Sequence, residues 1–148
     1  MKTTIEKELE EHGQLVCTNE GVSMMPLLRQ HRDLMIIGRK PDHRLRKYDV
    51  PLFKRVNGRY VLHRILRVDE DSYVLCGDNQ YQREYGIRDE QIIGVLEGFV
   101  RDNVTYSTED WRYKAYVHLW CDFFPVRAFL LCCRGAVGRV KRRLRCDG

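Results

Sequence analysis

The chain has 148 residues, a hydrophobic fraction of 43% and a charged fraction of 32%, a balance that fits one globular domain and excludes a disordered chain. Its mean hydropathy of −0.50 excludes a polytopic membrane protein. The net charge of +5 is unevenly spread: residues 1–110 carry 17 Lys and Arg against 19 Asp and Glu, and residues 111–148 carry 9 against 2, so a basic segment follows a nearly neutral body.

Thr3 and Glu6 form a capping-box pattern, and Gly13 is placed to end the helix they start. That helix is charged nearly all round and is expected on the surface. Four glutamates fill positions 6–11 with no apolar run after them, so no export signal is read. The chain is expected to stay in the cytoplasm, with a peripheral contact to the cytoplasmic membrane face left open. Gln14–Thr18 reads as a short strand, broken by Asn19, Glu20 and Gly21. From Asp33 to Thr105 the pattern is β, with strands expected at Leu34–Gly38, Val50–Arg55, Arg59–Val68, Tyr73–Cys76, Ile92–Val100 and weakly at Val104–Tyr106. Asn57-Gly58 marks a hairpin and Asp69-Glu70-Asp71 a turn. Pro51 predicts an edge position for its strand.

Ser107 to Asp110 reads as a helix start. Tyr113, Tyr116, Val117, Trp120 and Phe124 then share one helical face, Pro125 interrupts, and Val126, Phe129, Leu130, Cys133, Val137, Val140 and Leu144 repeat the spacing. Arg127, Arg134, Arg139, Lys141, Arg142, Arg143 and Arg145 fill the other faces, and Gly135 and Gly138 weaken the helical pattern. There are six cysteines and no CxxC pair. Without an export signal they read as reduced thiols packed as small hydrophobes. His118 and Cys121 have no second pair at ligand spacing, so no metal and no cofactor are expected.

Three blocks carry chemistry. In Gly21-Val22-Ser23-Met24-Met25-Pro26, a serine after a flexible glycine can stand beside free backbone N–H groups. In Tyr60-Val61-Leu62-His63-Arg64-Ile65, strand alternation sets His63 among β-branched residues, where desolvation favours the neutral imidazole a general base requires. In Cys76-Gly77-Asp78-Asn79, Asp78 can fix a histidine tautomer, as can Glu84 six residues on. Each block alone reads first as ordinary structure: a helix cap, a core histidine and a turn.

Their order and spacing are more specific. From about Gly21 to Val100 the chain resembles the signal peptidase I and LexA-type serine peptidases. The matching runs are Gly21 to Pro26, Arg32-Asp33-Leu34, Lys47 to Phe53, Leu62-His63-Arg64-Ile65, Gly77-Asp78-Asn79 and Ile93-Gly94-Val95. The resemblance implies a β-sheet core of that type, Ser23 as nucleophile, and His63 in place of the lysine base of most bacterial members. A histidine there is similar to the endoplasmic-reticulum and archaeal form. It leaves Asp78 and Glu84 as alternative partners for His63. Gly21 stands where some members carry a hydroxyl donor, so oxyanion donors must be backbone. Gly21, Met24 and Asn79 are the expected oxyanion or substrate contacts.

The expected architecture is therefore mainly β, with a catalytic core at 1–110, a short N-terminal helix and an amphipathic basic helical tail at 111–148. The expected activity is endopeptidase cleavage of a precursor or leader-type peptide, and the alternative is a non-catalytic peptide- or membrane-binding module on the same fold. For the tail, Trp120, Phe124, Phe129 and Arg142 are expected contacts to an anionic membrane. Packing of the Trp111–Phe124 face on the core is the competing reading. Nucleic acid is not expected, because no base-stacking or groove-reading module accompanies the charge. The sequence leaves the oligomeric state open.

Overall fold

The computed structural model describes residues 4–146, apart from the side chains at positions 4, 137, 138 and 140–146. Helix α1 (Thr4–His12) leads into β1 (Gln14–Thr18) through Gly13, whose φ of +77° lets its N–H reach the Leu9 carbonyl at 3.0 Å. Thr3 of the expected capping box lies outside the described residues. The helix is not a free surface element: Leu9 is buried and Ile5 packs beside it on the core.

The strands that follow are β2 (Leu34–Arg39), β3 (Pro51–Lys54), β4 (Tyr60–Leu62), β5 (Arg64–Val68), β6 (Tyr73–Cys76), β7 (Glu84–Ile87), β8 (Ile92–Arg101) and β9 (Val104–Ser107). They form a mainly β body of two antiparallel sheets, one in the order β1-β2-β8-β3-β4 with β9 also on β8, the other in the order β5-β6-β7. The ten-residue β8 is the spine. Its first half pairs with β3 and its second half with β9, while β2 runs along its other edge.

Two strand readings are corrected. The continuous strand expected at Arg59–Val68 divides at His63, because Leu62 pairs with Leu52 in one sheet and Arg64 pairs with Cys76 in the other. Side-chain alternation persists through the crossing, so the sequence pattern carries no mark of it. Nor is Pro51 on an edge. It opens β3 between β8 and β4, and as first residue it needs no donor N–H, while its carbonyl accepts from the His63 N–H at 3.4 Å.

Two apolar clusters hold the sheets. Met24, Leu28, Ile37, Val50, Leu52, Leu62 and Leu96 pack in one, and Phe53, Ile65, Tyr73, Leu75 and Ile92 in the other. Helix α2 (Trp111–Cys121) is started by the Asp110 side chain, which accepts from the Arg112 N–H. Helix α3 (Phe124–Cys146) carries Pro125 in its first turn, where no intrahelical N–H is lost, and runs on through Gly135 and Gly138. Pro125 therefore starts this helix rather than merely breaking the run.

The expected boundary at residue 110 is crossed by hydrogen bonds. Fully buried Arg64 grips fully buried Asp78 with Nε and Nη2 at 2.8 and 2.7 Å. From α2, Tyr113 Oη accepts from Arg64 Nη1 at 2.9 Å, Tyr116 Oη donates to Asp78 at 2.9 Å, and Trp120 Nε1 donates to the Asp78 carbonyl at 2.8 Å. Burial opposes the Arg64 charge, but the Asp78 carboxylate outweighs it and holds the guanidinium protonated. Removing one partner strands the other as a buried charge, which costs about 3–5 kcal/mol. Arg64→Leu is expected to lower the urea-unfolding free energy by that order. Adding Asp78→Leu to it should recover a large part, because no bare charge then remains. Equal stability of Arg64→Leu and the parent chain would refute this account.

Candidate active site

The turn at Ser23 is fixed from below by the Gly77-Asp78-Asn79 segment. The Asn79 N–H donates to the Ser23 carbonyl at 2.7 Å, and Asn79 Nδ2 donates to the Val22 carbonyl at 3.1 Å. The two segments touch so closely that a Cβ at position 77 would lie 2.6 Å from the Ser23 carbonyl oxygen and 3.1 Å from its Cβ. Glycine is therefore required there by space alone. Met24, Leu27 and Leu28 anchor the other side of the turn in the core, and the Leu28 N–H reaches the Met24 carbonyl at 2.9 Å. No helix forms after Ser23; residues 23–27 are turns.

Ser23 is partly buried, and its hydroxyl has no hydrogen-bond partner among the described residues. Among the described residues the backbone N–H groups of Ser23 and Met24 likewise meet no acceptor. Gly21 leaves open room beside the hydroxyl, since a Cβ there would have Ser23 Oγ as its nearest neighbour at 4.0 Å. The Gly21 N–H is not a free donor: it points to Asn19 Oδ1 at 3.3 Å, and the Gly21 carbonyl accepts from Asn19 Nδ2 at 2.8 Å.

His63 sits at the crossing between the sheets, only 2% exposed, with Phe53 tilted against its ring. His63 precedes and Gly77 follows the Arg64–Cys76 pair, and Ser23 packs against Gly77; among the described residues no hydrogen bond joins Ser23 to His63.

Between the two carboxylates the geometry discriminates. Glu84 Oε1 lies 2.8 Å from His63 Nδ1. The oxygen sits off the line of the Nδ1–H bond, which leaves that buried nitrogen without a well-directed partner. Arg55 holds Glu84 from behind, with Nε to Oε2 at 2.9 Å and Nη2 to Oε1 at 2.5 Å. Asp78 is spent on Arg64, Tyr116 and Trp120. Glu84 arrives on β7, a strand the sequence reading left out. Its register sets Glu84 opposite Leu75 of β6.

Of the expected membrane contacts, Trp120 and Phe124 turn toward the domain. Trp120 stacks on Tyr116, and Phe124 lies under the guanidinium groups of Arg83 and Arg127. Both are half-buried against these neighbours. Phe129 is exposed. The side chain of Arg142 lies outside the described residues.

Two clefts border the Ser23 turn, one of about 420 Å³ at Asn79, Gln80, Leu131 and Arg134, the other of about 240 Å³ at Pro26, Leu27, Phe99 and Tyr106. Neither is lined by Ser23 or His63. Among the described residues no three His, Cys, Asp or Glu side chains gather as a metal site. Compared with family models, curated proteins and solved structures, the chain matches none.

Burial pushes the His63 imidazole below its ordinary value of 6.5; the Glu84 charge opposes that shift and the Arg55 charge adds to it. Burial works to raise the Glu84 carboxyl, but the Arg55 hydrogen bond and the neighbouring charges outweigh it and hold it below its ordinary value. On acidification the unfolded chain therefore binds the histidine proton first. Stability from His63 is complete above about 6.5 and drains as pH falls through the folded-state value. Imidazole NMR titration is expected to give a His63 midpoint below 6.5. Glu84→Gln should move it lower still, by removing the larger of the two charges that favour imidazolium, Asp78 being the other, while leaving Arg55 in place. A midpoint above 6.5 in the parent chain would contradict this electrostatic picture.

Proposed function

We propose that this chain is a serine endopeptidase of the signal-peptidase and LexA-like kind, acting on a precursor or leader-type peptide. The observation that carries the reading is the buried His63 with a carboxylate at Nδ1, in a chain whose Ser23 hydroxyl is unengaged and whose Ser23 turn rests on Gly77. The ordered motif resemblance supports the LexA-like assignment of the β body.

In this mechanism Ser23 Oγ attacks the scissile carbonyl carbon as its proton passes to His63 Nε2. The developing oxyanion takes hydrogen bonds from the Ser23 and Met24 N–H groups, which are spare in the resting enzyme. Collapse breaks the C–N bond, His63 returns the proton to the leaving amine, and the acyl group stays on Ser23. Water then attacks the ester with His63 again as base, and the free acid leaves. Glu84 orients the imidazole and steadies its charged form once the proton arrives. Arg55 holds Glu84 ionised for that task. Asp78 acts at one remove, as a positioning residue that fixes the turn beneath Ser23.

The lowered histidine value suits a general base, since the imidazole is already neutral at pH 7. An active-site-directed serine probe should label the full-length chain once, at Ser23. Ser23→Ala should abolish labelling, and Ser23→Ala or His63→Ala should each lower cleavage of precursor peptides by about 10³-fold or more. Cleavage undiminished in both variants would overturn the assignment. A chain that binds these peptides but neither cuts nor takes the probe would instead be a non-catalytic module.

A further inference from the structure

The start of α3 carries an inverted polarity, with Arg127, expected from sequence on an outer face, turned inward. In the first turns of α3, the side chain buried against the domain is Arg127, only 3% exposed. Its Nη2 reaches the carbonyls of Gly77 and Gln80 at 3.5 and 3.2 Å, and its guanidinium lies over Phe124 and Trp120. The hydrocarbon faces outward. Leu119 on α2, Phe123 at the bend, and Val126, Phe129 and Leu130 on α3 are each between 53% and 72% exposed. A helix on a water-bathed surface presents the reverse arrangement.

On α3 the outward residues share one face. At about 100° per residue, Val126, Phe129, Leu130 and exposed Cys133 fall within roughly a third of the helix circumference. In the sequence the same spacing continues at Val137, Val140 and Leu144, whose side chains lie outside the described residues. Among the described residues nothing covers this face. The two helices are bent by 73° at the break between them, and neither alone is long and apolar enough to cross a membrane.

Charge selects the occupant. Arg134 and Arg139 are both exposed, Arg134 at the edge of the stripe and Arg139 further round the helix, and residues 111–148 carry 9 basic against 2 acidic side chains. A protein partner would have to match both a long hydrocarbon stripe and a dense cationic margin. An anionic bilayer offers both at once: acyl chains for the stripe and lipid phosphates for the arginines.

We propose that α3, with the end of α2, lies in the interface of an anionic membrane and seats the domain there, with Leu119, Phe123, Val126, Phe129 and Leu130 entering the acyl boundary. Of the residues expected from sequence to make this contact, Phe129 is in this set, while Trp120 and Phe124 are half-buried on the inner side, against Tyr116 and Arg127. The proposal is independent of catalysis by Ser23, and its readout involves no cleavage.

The test is co-sedimentation of the full chain with vesicles of phosphatidylcholine alone or mixed with phosphatidylglycerol. Strong partition is expected only into the mixed vesicles, weakening steeply between 50 mM and 500 mM salt. Phe129→Ser with Leu130→Ser should lower the partition coefficient at least tenfold. Arg134→Gln with Arg139→Gln should lower it by roughly fivefold per charge removed. Circular dichroism of each variant should stay unchanged, and Val56→Ser, at an exposed hairpin tip far from the helices in sequence, should bind like the parent. Equal partition into neutral and anionic vesicles, or full binding by the Phe129/Leu130 double variant, overturns the proposal. So does a dimer in vesicle-free solution that the same double variant splits, since the face would then be covered by a second copy.

Discussion

The position of the Ser23 turn depends on one buried ion pair, Arg64 with Asp78. Both side chains are fully buried. Carboxylates and guanidinium groups are stable in such surroundings only when nearly every polar atom is matched. Here both carboxylate oxygens and the backbone carbonyl of Asp78 are taken, by Arg64, Tyr116 and Trp120. The pair joins β5 to the turn after β6, and its tyrosine and tryptophan partners fasten α2 over both. Because Gly77 and Asn79 flank Asp78, the same pair fixes the floor on which Ser23 rests. The site is thus located by electrostatics that tolerate little displacement, with apolar packing of Met24 and Leu28 supporting it from the other side.

Strand alternation divides the work between two neighbours. His63 and Arg64 are adjacent, so in extended chain they project to opposite faces. One enters the space shared with Glu84 and Phe53; the other enters the clamp beneath α2. The His63 ring gains its desolvated setting because it lies where the chain leaves one sheet for the other. There Phe53 covers it from the first sheet and Glu84 approaches it from the second. A histidine in the middle of either sheet would face only one of these neighbours.

The apolar strands are legible in the sequence because burial demands hydrocarbon: Leu34–Arg39 and Ile92–Arg101 mix buried with less buried positions, Tyr73–Cys76 is a short run buried throughout, and all three lie close to their expected limits. Strand β7 was not readable. Glu-Tyr-Gly-Ile buries only Ile87, and Gly86 takes a φ of +71°, so its pairing with β6 rests on backbone bonds that leave little trace in composition. With β7 missing, Asp78 and Glu84 were equivalent candidates. The choice between them is a matter of which strand edge each occupies. Arg55 was likewise invisible, because its partner comes from 29 residues away. The aromatic spacing of the tail was read correctly as a helix face, but spacing alone does not say what covers a face. Trp120 and Phe124 are covered by arginine side chains, an arrangement that hydropathy scores as two surfaces rather than one.

The tail and the site share the turn at residues 77–80. Its upper side carries Ser23, through Asn79. Its lower side receives Trp120 at the Asp78 carbonyl and Arg127 at the carbonyls of Gly77 and Gln80. Arg127 keeps two nitrogens buried without hydrogen-bond partners, a cost that the flanking aromatic faces only partly offset. That expense is intelligible if the helix must show hydrocarbon on its outer side, because a cationic inner anchor leaves the whole apolar stripe free to face outward. The charge division at residue 110 therefore marks a change of composition and not the end of the folded core. The chain from Trp111 to Arg127 completes the burial of Asp78, and an anchored tail and a fixed serine become consequences of the same few contacts.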